Sequence, residues 1–233
     1  MNDNIIVIVV LLLYFSPVFY QLSLLIREKN SDSKILIKKI RKYLKVSLFV
    51  LVPSIIAFAI LIHTNFLDYE KPMTFDKYNQ ITFENFRGLE FFKKSLYGNE
   101  RFAYVVTEID SDIKNNSVTV QSLFYPSRSF VYKKNTNSKE LLTHEKYHIK
   151  ITELYARKAK EKISNLNKPE KGIIKKIIEE IKIEERKYQR KYDYDTFHSY
   201  VLKEQKKYEK EIDSLLNLLS KFKNPQINFN EQI

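Results

Sequence analysis

Few residue types in this chain can do chemistry, and they are clustered. Of four histidines, two stand in His144-Glu145-Lys146-Tyr147-His148, and a third closes the segment Tyr192-Asp193-Tyr194-Asp195-Thr196-Phe197-His198. On a helix, residues four apart share one face, so the imidazoles of His144 and His148 can reach one zinc ion. Glu145, between them, is placed to act as general base on a zinc-activated water. A catalytic zinc commonly takes three protein ligands and keeps one position open. His198, 50 residues beyond His148, is the expected third. Glu179, Glu180, Glu184 and Glu185 are rival third ligands, but they lie in IIEEIKIEERK, a pattern of solvated charge. The fourth histidine, His63, ends an apolar run and reads as an interfacial structural residue.

Composition removes other chemistries. The 233 residues include no cysteine, which excludes disulfides, thiolate zinc sites, iron–sulfur clusters and thiol nucleophiles. The three glycines, Gly88, Gly98 and Gly172, are isolated, so no Gly-rich phosphate cradle exists. Any metal must therefore sit on imidazole and carboxylate. The formal net charge of +12 suggests nucleic acid or an anionic surface, but no base-reading motif accompanies it, and nucleic acid is not an expected partner.

Half of that charge has a simpler reading. Ile5–Ile26 and Val46–Leu67 are uncharged runs of 22 residues each, long enough to span a bilayer. The first lacks the basic leader and small-residue cleavage site of a signal peptide. Between them, residues 27–45 hold eight Lys and Arg against Glu28 and Asp32. A short basic loop stays in the cytosol. The expectation is a two-helix transmembrane hairpin over 1–67, with its loop at the inner face. The N-terminus and residues 68–233 then lie outside the cytosol. Ile35, Ile37, Ile40 and Leu44 interleave with the lysines, as in a segment resting on anionic headgroups.

The remainder reads as one α+β domain. Phe102–Ile109, Ser117–Phe124 and Ser129–Tyr132 have the β-branched and aromatic content of strands in a small antiparallel sheet. A helix follows, with Asn137 and Glu140 as a capping box. Residues 164–172 break it, and isoleucines from Ile173 to Ile181 mark a second helix reaching about Tyr192. A third, around His198, carries a stripe of Val201, Tyr208, Ile212, Leu215, Leu219 and Phe222. The polar tail after Pro225 should fray.

LLTHEKYHIKITELYARK resembles the core of a bacterial family of predicted secreted zinc-dependent proteases, whose helix reads close to HEQxHFDITELYARKL. Here it is carried by His144, Glu145, His148, Ile151, Thr152, Glu153, Leu154, Tyr155, Ala156 and Arg157. The family's later YDxxTxHG is matched at Tyr192, Asp193, Thr196 and His198. Its upstream LTWDDFxG is matched by Ile81-Thr82-Phe83-Glu84-Asn85-Phe86-Arg87-Gly88. The three blocks occur in order over roughly 80–215. Lys146, Ile149, Lys150, Phe83 and Ser199 depart from the pattern, and so does a double membrane anchor.

The resemblance implies a zincin-like fold and a zinc metallopeptidase acting on protein or peptide from the bacterial cytoplasmic membrane. In that reading His144, His148 and His198 bind Zn2+ and Glu145 is the base. Asp193 or Glu153 accepts a hydrogen bond from a ligand histidine. Tyr194 or Tyr200 stabilises the oxyanion, and Thr196 organises the turn before His198. The alternative is a membrane-anchored binding or assembly protein whose zinc is structural.

Overall fold

The computed structural model describes residues 3–28, 34–63, 68–88, 103–114, 116–132, 138–166 and 169–229. The side chain of His63 lies outside the described residues. The chain divides into two compact units, Met1–Thr64 and Asn65–Ile233.

In the first unit, helices α1 (Asp3–Tyr14) and α2 (Ser16–Arg27) precede α3 (Lys34–His63). Among the described residues one helix, Lys34–Leu61, is long and apolar enough to cross a membrane. The first apolar run does not form one straight rod. It bends by 60° at the break between α1 and α2, and counts as a second span only if both halves cross together. Pro17, at the start of α2, supplies the reason: a proline has no N–H to continue the preceding helix but fits the first turn of a new one. The Tyr14 hydroxyl donates to the Leu51 carbonyl at 3.0 Å, and the Gln21 amide to Ser47 Oγ at 2.9 Å. Further along α2, Leu22, Leu25 and Ile26 lie beside Ile37 and Arg41 of α3, so numbers rise on α2 as they fall on α3 and the two helices are antiparallel.

The expected basic loop over 27–45 is corrected from Lys34 onward. Lys34, Lys38, Lys39, Arg41, Lys42 and Lys45 occupy the first turns of α3 itself. No glycine or proline separates them from the apolar run, and lysine and leucine are good helix formers, so the helix propagates through the charge boundary.

The second unit is helical with small antiparallel sheets. Strand β1 is Met73–Thr74, β2 Ala103–Tyr104, β3 Thr107–Ile113, β4 Ser117–Phe124, β5 Phe130–Val131 and β6 Gln226–Asn228. β4 is the centre of the main sheet. β3 pairs with it from Thr107↔Phe124 to Ile113↔Val118. Its other edge is shared, β1 at the Phe124 end and β6 at the Ser117 end. The tail expected to fray therefore forms a strand as far as Asn228. The physical reason is the open edge of β4, whose N–H and C=O groups need partners; the Val120 N–H donates to the Pro225 carbonyl at 2.8 Å. The strand expected over Phe102–Ile109 is split. Ala103–Tyr104 turns away to pair with β5, and Val105–Val106 bridges to β3.

Helix α4 (Lys139–Ser164) lies at the heart of this unit, against the sheet and against α5 (Lys171–Thr196) and α6 (Leu202–Leu218). Its Ile151, Leu154, Ala156, Ala159 and Ile163 are fully buried with Val118 and Val120 of the sheet and Ile181 and Ile212 of the neighbouring helices. Asn137 lies outside the described residues, and Ser138 is the N-cap, its side chain accepting from the Leu141 N–H at 3.2 Å.

A second cluster joins Ile81, Phe83 and Phe86 to Phe124, Leu141 and Ile149. Leu141 and Ile149 flank the two histidines, so this cluster fixes the turn of α4 that carries them. Gly88 ends the segment where its N–H donates to the Ser129 carbonyl at 2.7 Å. A Cβ there would stand 2.8 Å from that oxygen, which leaves room for glycine alone.

Helix α5 runs to Thr196, past the expected end near Tyr192, and α6 starts only at Leu202. His198 is thus in a turn between helices. Val201, expected on a packed stripe, is 41% exposed, whereas Tyr208, Ile212 and Leu219 are buried as expected.

Candidate metal centre

His144, Glu145 and His148 project from the buried middle of α4, at 0%, 2% and 8% exposure. Facing them are the last turns of α5, where Glu185, Gln189, Asp193 and Thr196 recur at helical spacing. His144 Nε2, His148 Nε2 and Asp193 Oδ1 converge. The two nitrogens are 3.2 Å apart, and the carboxylate oxygen is 3.2 Å from the first and 2.9 Å from the second. Donors about 2.0–2.2 Å from a tetrahedral ion are themselves about 3.3–3.6 Å apart. The observed triangle is within a few tenths of an ångström of that, so these residues fit a metal ion.

The surrounding hydrogen bonds aim the donors. His148 Nδ1 donates to Gln189 Oε1 at 2.5 Å, which turns Nε2 toward the triangle. The Gln189 amide is held in turn by the His148 carbonyl at 3.0 Å and by Glu185 Oε1 at 2.7 Å. Thr152 adds a bond to Glu185 at 2.9 Å. Tyr192, with no exposure, stacks on His144 at 4.6 Å between centroids and 14° between planes. Thr196 Oγ1 stands 3.5 Å from His144 Nδ1 while donating to the Tyr192 carbonyl at 2.6 Å.

Electrostatics separate the two imidazoles. Burial, reinforced by the neighbouring His148 charge, pushes His144 down to about 4 despite its bond to Asp193. Burial also disfavours a charge on His148, yet the hydrogen bond and field of Asp193 outweigh it and raise His148 to about 9. Asp193 is partly desolvated, but its bonds to both histidines hold it well below the usual carboxylate range. Without metal, the site at neutral pH is a neutral His144 beside a His148 imidazolium paired with the Asp193 carboxylate. Glu145 is raised to about 7, by burial first, with His148 and a hydrogen bond from the Val105 backbone opposing.

His198 stands at the rim, its side chain 62% exposed and its Nδ1 3.5 Å from Asp193 Oδ1. It is outside the mutually close His144–His148–Asp193 group. Asp193, read from sequence as a possible hydrogen-bond partner, thus occupies the third corner of the triangle. Glu153 is not near a histidine: it accepts from Arg157 Nε at 2.7 Å and Ser122 Oγ at 2.9 Å. Of the rival glutamates, Glu185 braces Gln189, Glu179 faces Lys182 and Glu184 faces Lys162, while Glu180 is exposed. Tyr194 is 85% exposed and Tyr200 46%, neither pointing a buried hydroxyl at the triangle.

Sequence reasoning missed Gln189 and the stacking role of Tyr192. The signal for Gln189 was its place four residues before Asp193 and four after Glu185, on the same helix face.

The turn that carries His198 is left-handed. Phe197, His198 and Ser199 have φ of 46°, 50° and 74°. The His198 N–H donates to the Asp193 carbonyl at 3.3 Å, and the Val201 N–H closes the turn on Thr196 at 2.9 Å. Each L-residue held this way costs roughly 1–2 kcal/mol. Ser199→Gly is therefore expected to stabilise the protein by about 0.5–1 kcal/mol. Thermal unfolding of the full chain should show a raised midpoint, with zinc affinity unchanged; a lowered midpoint would mean that the turn is not strained.

A cleft of about 500 Å³ opens over Glu145, His148, Asp193 and His198, with the extended segment 103–107 as its opposite wall. The arrangement can hold a divalent ion and, beside it, a proton acceptor facing a solvent-accessible space. No family model, curated protein or solved structure matches this chain.

Proposed function

We propose that this chain is a membrane-anchored zinc-dependent metallopeptidase with a zincin-like fold. The observation that carries the reading is a buried donor triangle on an H-E-x-x-H helix, with the intervening Glu145 opening into the same cleft. His144, His148 and Asp193 would hold the ion, with His198 at its rim. When bound, zinc supplies Lewis acidity that lowers the pKa of a coordinated water and polarises a carbonyl. Glu145 takes the proton from the attacking water and later delivers it to the leaving amine. The Val105 backbone steadies that carboxylate, and Gln189 and Tyr192 keep the imidazoles from turning away. The segment 103–107 forms a wall along which an extended peptide can lie.

The resemblance to the predicted secreted protease family supports this reading, as does the scarcity of other chemistry in the chain. The membrane part of the proposal has two spans, the basic start of α3 at the cytosolic face, and the catalytic unit outside the cytosol of a bacterium. The lipid bilayer is then a permanent partner, a protein or peptide the substrate, and nucleic acid no partner.

One observation favours the second reading, a structural metal site in a binding or assembly protein. With Asp193 as a donor and His198 only 3.5 Å from it, four protein ligands could close on the ion and leave no position for water. The test is hydrolysis of an unfolded protein substrate by the full chain in detergent. Activity should vanish with a zinc chelator and return with zinc; metal bound tightly without hydrolysis would leave the second reading standing.

A further inference from the structure

We infer that the second unit holds a separate binding site for a small oxyanion, a carboxylate or a phosphate, in the cavity lined by Lys160, Lys150, Lys223, Ser122 and Thr74. This cavity is on the α4 face that carries Lys150, Glu153 and Lys160, among the 3₁₀ turn after β1, strand β4 and the residues before β6. Its volume is about 580 Å³, in the range of small-molecule sites. None of the metal-site residues lines it.

The central observation is Lys160. It is 1% exposed, and a lysine is almost never fully buried without a charged partner. Among the described residues its ammonium makes one hydrogen bond, to the Asn224 carbonyl at 3.1 Å. An ammonium carries three donors, so two of them are left for an acceptor. Two carboxylates, Glu153 and Asp76, line the cavity as well, and each carboxylate here already has a partner. Glu153 is held by Arg157 and Ser122, Asp76 by the Thr74 hydroxyl, and Asp213 takes Lys150 at 2.6 Å. Lys223 adds a second cation with no carboxylate partner among the described residues. The lining therefore sets three lysines against two carboxylates, an excess of one positive charge, and the ligand's donors are the lysines, because the Ser122 and Thr74 hydroxyls on the wall are spent on Glu153 and Asp76. Burial pushes Lys160 down to about 8, with Glu153 opposing, as expected for a charge awaiting its counterion.

An anion here would gain charge-assisted hydrogen bonds in a low-dielectric site, without competing with the metal centre. The inference does not depend on peptidase activity.

The test uses the full chain in detergent, titrated with inorganic phosphate and, separately, with acetate, at ionic strength held constant with sodium chloride. A saturable rise in melting midpoint is expected for at least one of them, and whichever saturates at lower concentration identifies the chemical class. Lys160→Met should weaken that binding by about tenfold or more. No saturable rise with either anion overturns the inference, and so does an equal rise in Lys160→Met, which would place the anion elsewhere. If Lys160→Met fails to fold, the exposed Lys223→Met serves instead: a raised dissociation constant supports the site, and an unchanged one overturns it.

Discussion

Asp193→Ala is expected to lower the zinc affinity of the full chain by about a hundredfold or more, and His198→Ala by no more than about tenfold. The reason is geometric. Asp193 Oδ1 stands 2.9–3.2 Å from the nitrogens of both buried imidazoles, whereas His198 is largely in solvent, its Nδ1 3.5 Å from Asp193 and its ring 6.2 Å from that of His144. Removing Asp193 deletes a charged donor. Removing His198 deletes a side chain that the left-handed turn holds at the edge. The reverse order of effects would restore His198 as the third ligand and leave Asp193 to orient it.

The same comparison has a pH signature. With His148 raised to about 9, a proton occupies the nitrogen that the metal needs. Apparent zinc affinity of the wild type should therefore rise as pH increases, by about fiftyfold between pH 7 and pH 9, as that proton is lost. The raised value depends on the Asp193 carboxylate. In Asp193→Ala the rise should shift to the ordinary histidine range, leaving a flat profile above neutrality. Competition with a chelator of known proton affinity measures both curves; an unshifted rise in the variant would show that Asp193 does not hold the His148 proton.

Glu145→Gln should reduce peptide hydrolysis by about a thousandfold while leaving zinc affinity nearly unchanged. The carboxyl is fully buried and takes a hydrogen bond from the Val105 backbone. A glutamine of the same shape keeps that acceptor, so the fold should survive. What it loses is a proton acceptor whose pKa, lifted by burial to about 7, is matched to neutral operation. Wild-type activity should climb with pH as Glu145 becomes the carboxylate, with a midpoint that the bound ion draws below the metal-free value, and that limb should be missing from the residual activity of the variant. A variant with undiminished hydrolysis removes Glu145 as the base.

The helical face of His144 and His148, and Glu145 between them, were legible because four-residue spacing on a helix is a local property. The two apolar runs were legible for the same reason. Their shape was not. The bend after α1 depends on where Pro17 restarts a helix, and from Lys34 the basic stretch continues as helix because no glycine or proline interrupts it before the apolar run. The strand at Gln226–Asn228 was invisible because its cause is the open edge of β4, about a hundred residues earlier.

The candidate site divides along the same line. The sequence by itself determined that any metal would rest on histidine and carboxylate, since no cysteine exists, and that two of the donors would share a helix. It also brought forward the segment from Tyr192 to His198. Tertiary structure decided the order within that segment. Helix α5 keeps its axis through Asp193, which carries that carboxylate into the triangle. The chain then reverses hand at Phe197, which sets His198 at the rim. A residue's reach across 50 positions depends on how two helices pack and where one of them ends, and neither is encoded in local spacing. The same packing buried Lys160, which in sequence is one lysine among many, and left its ammonium facing a cavity.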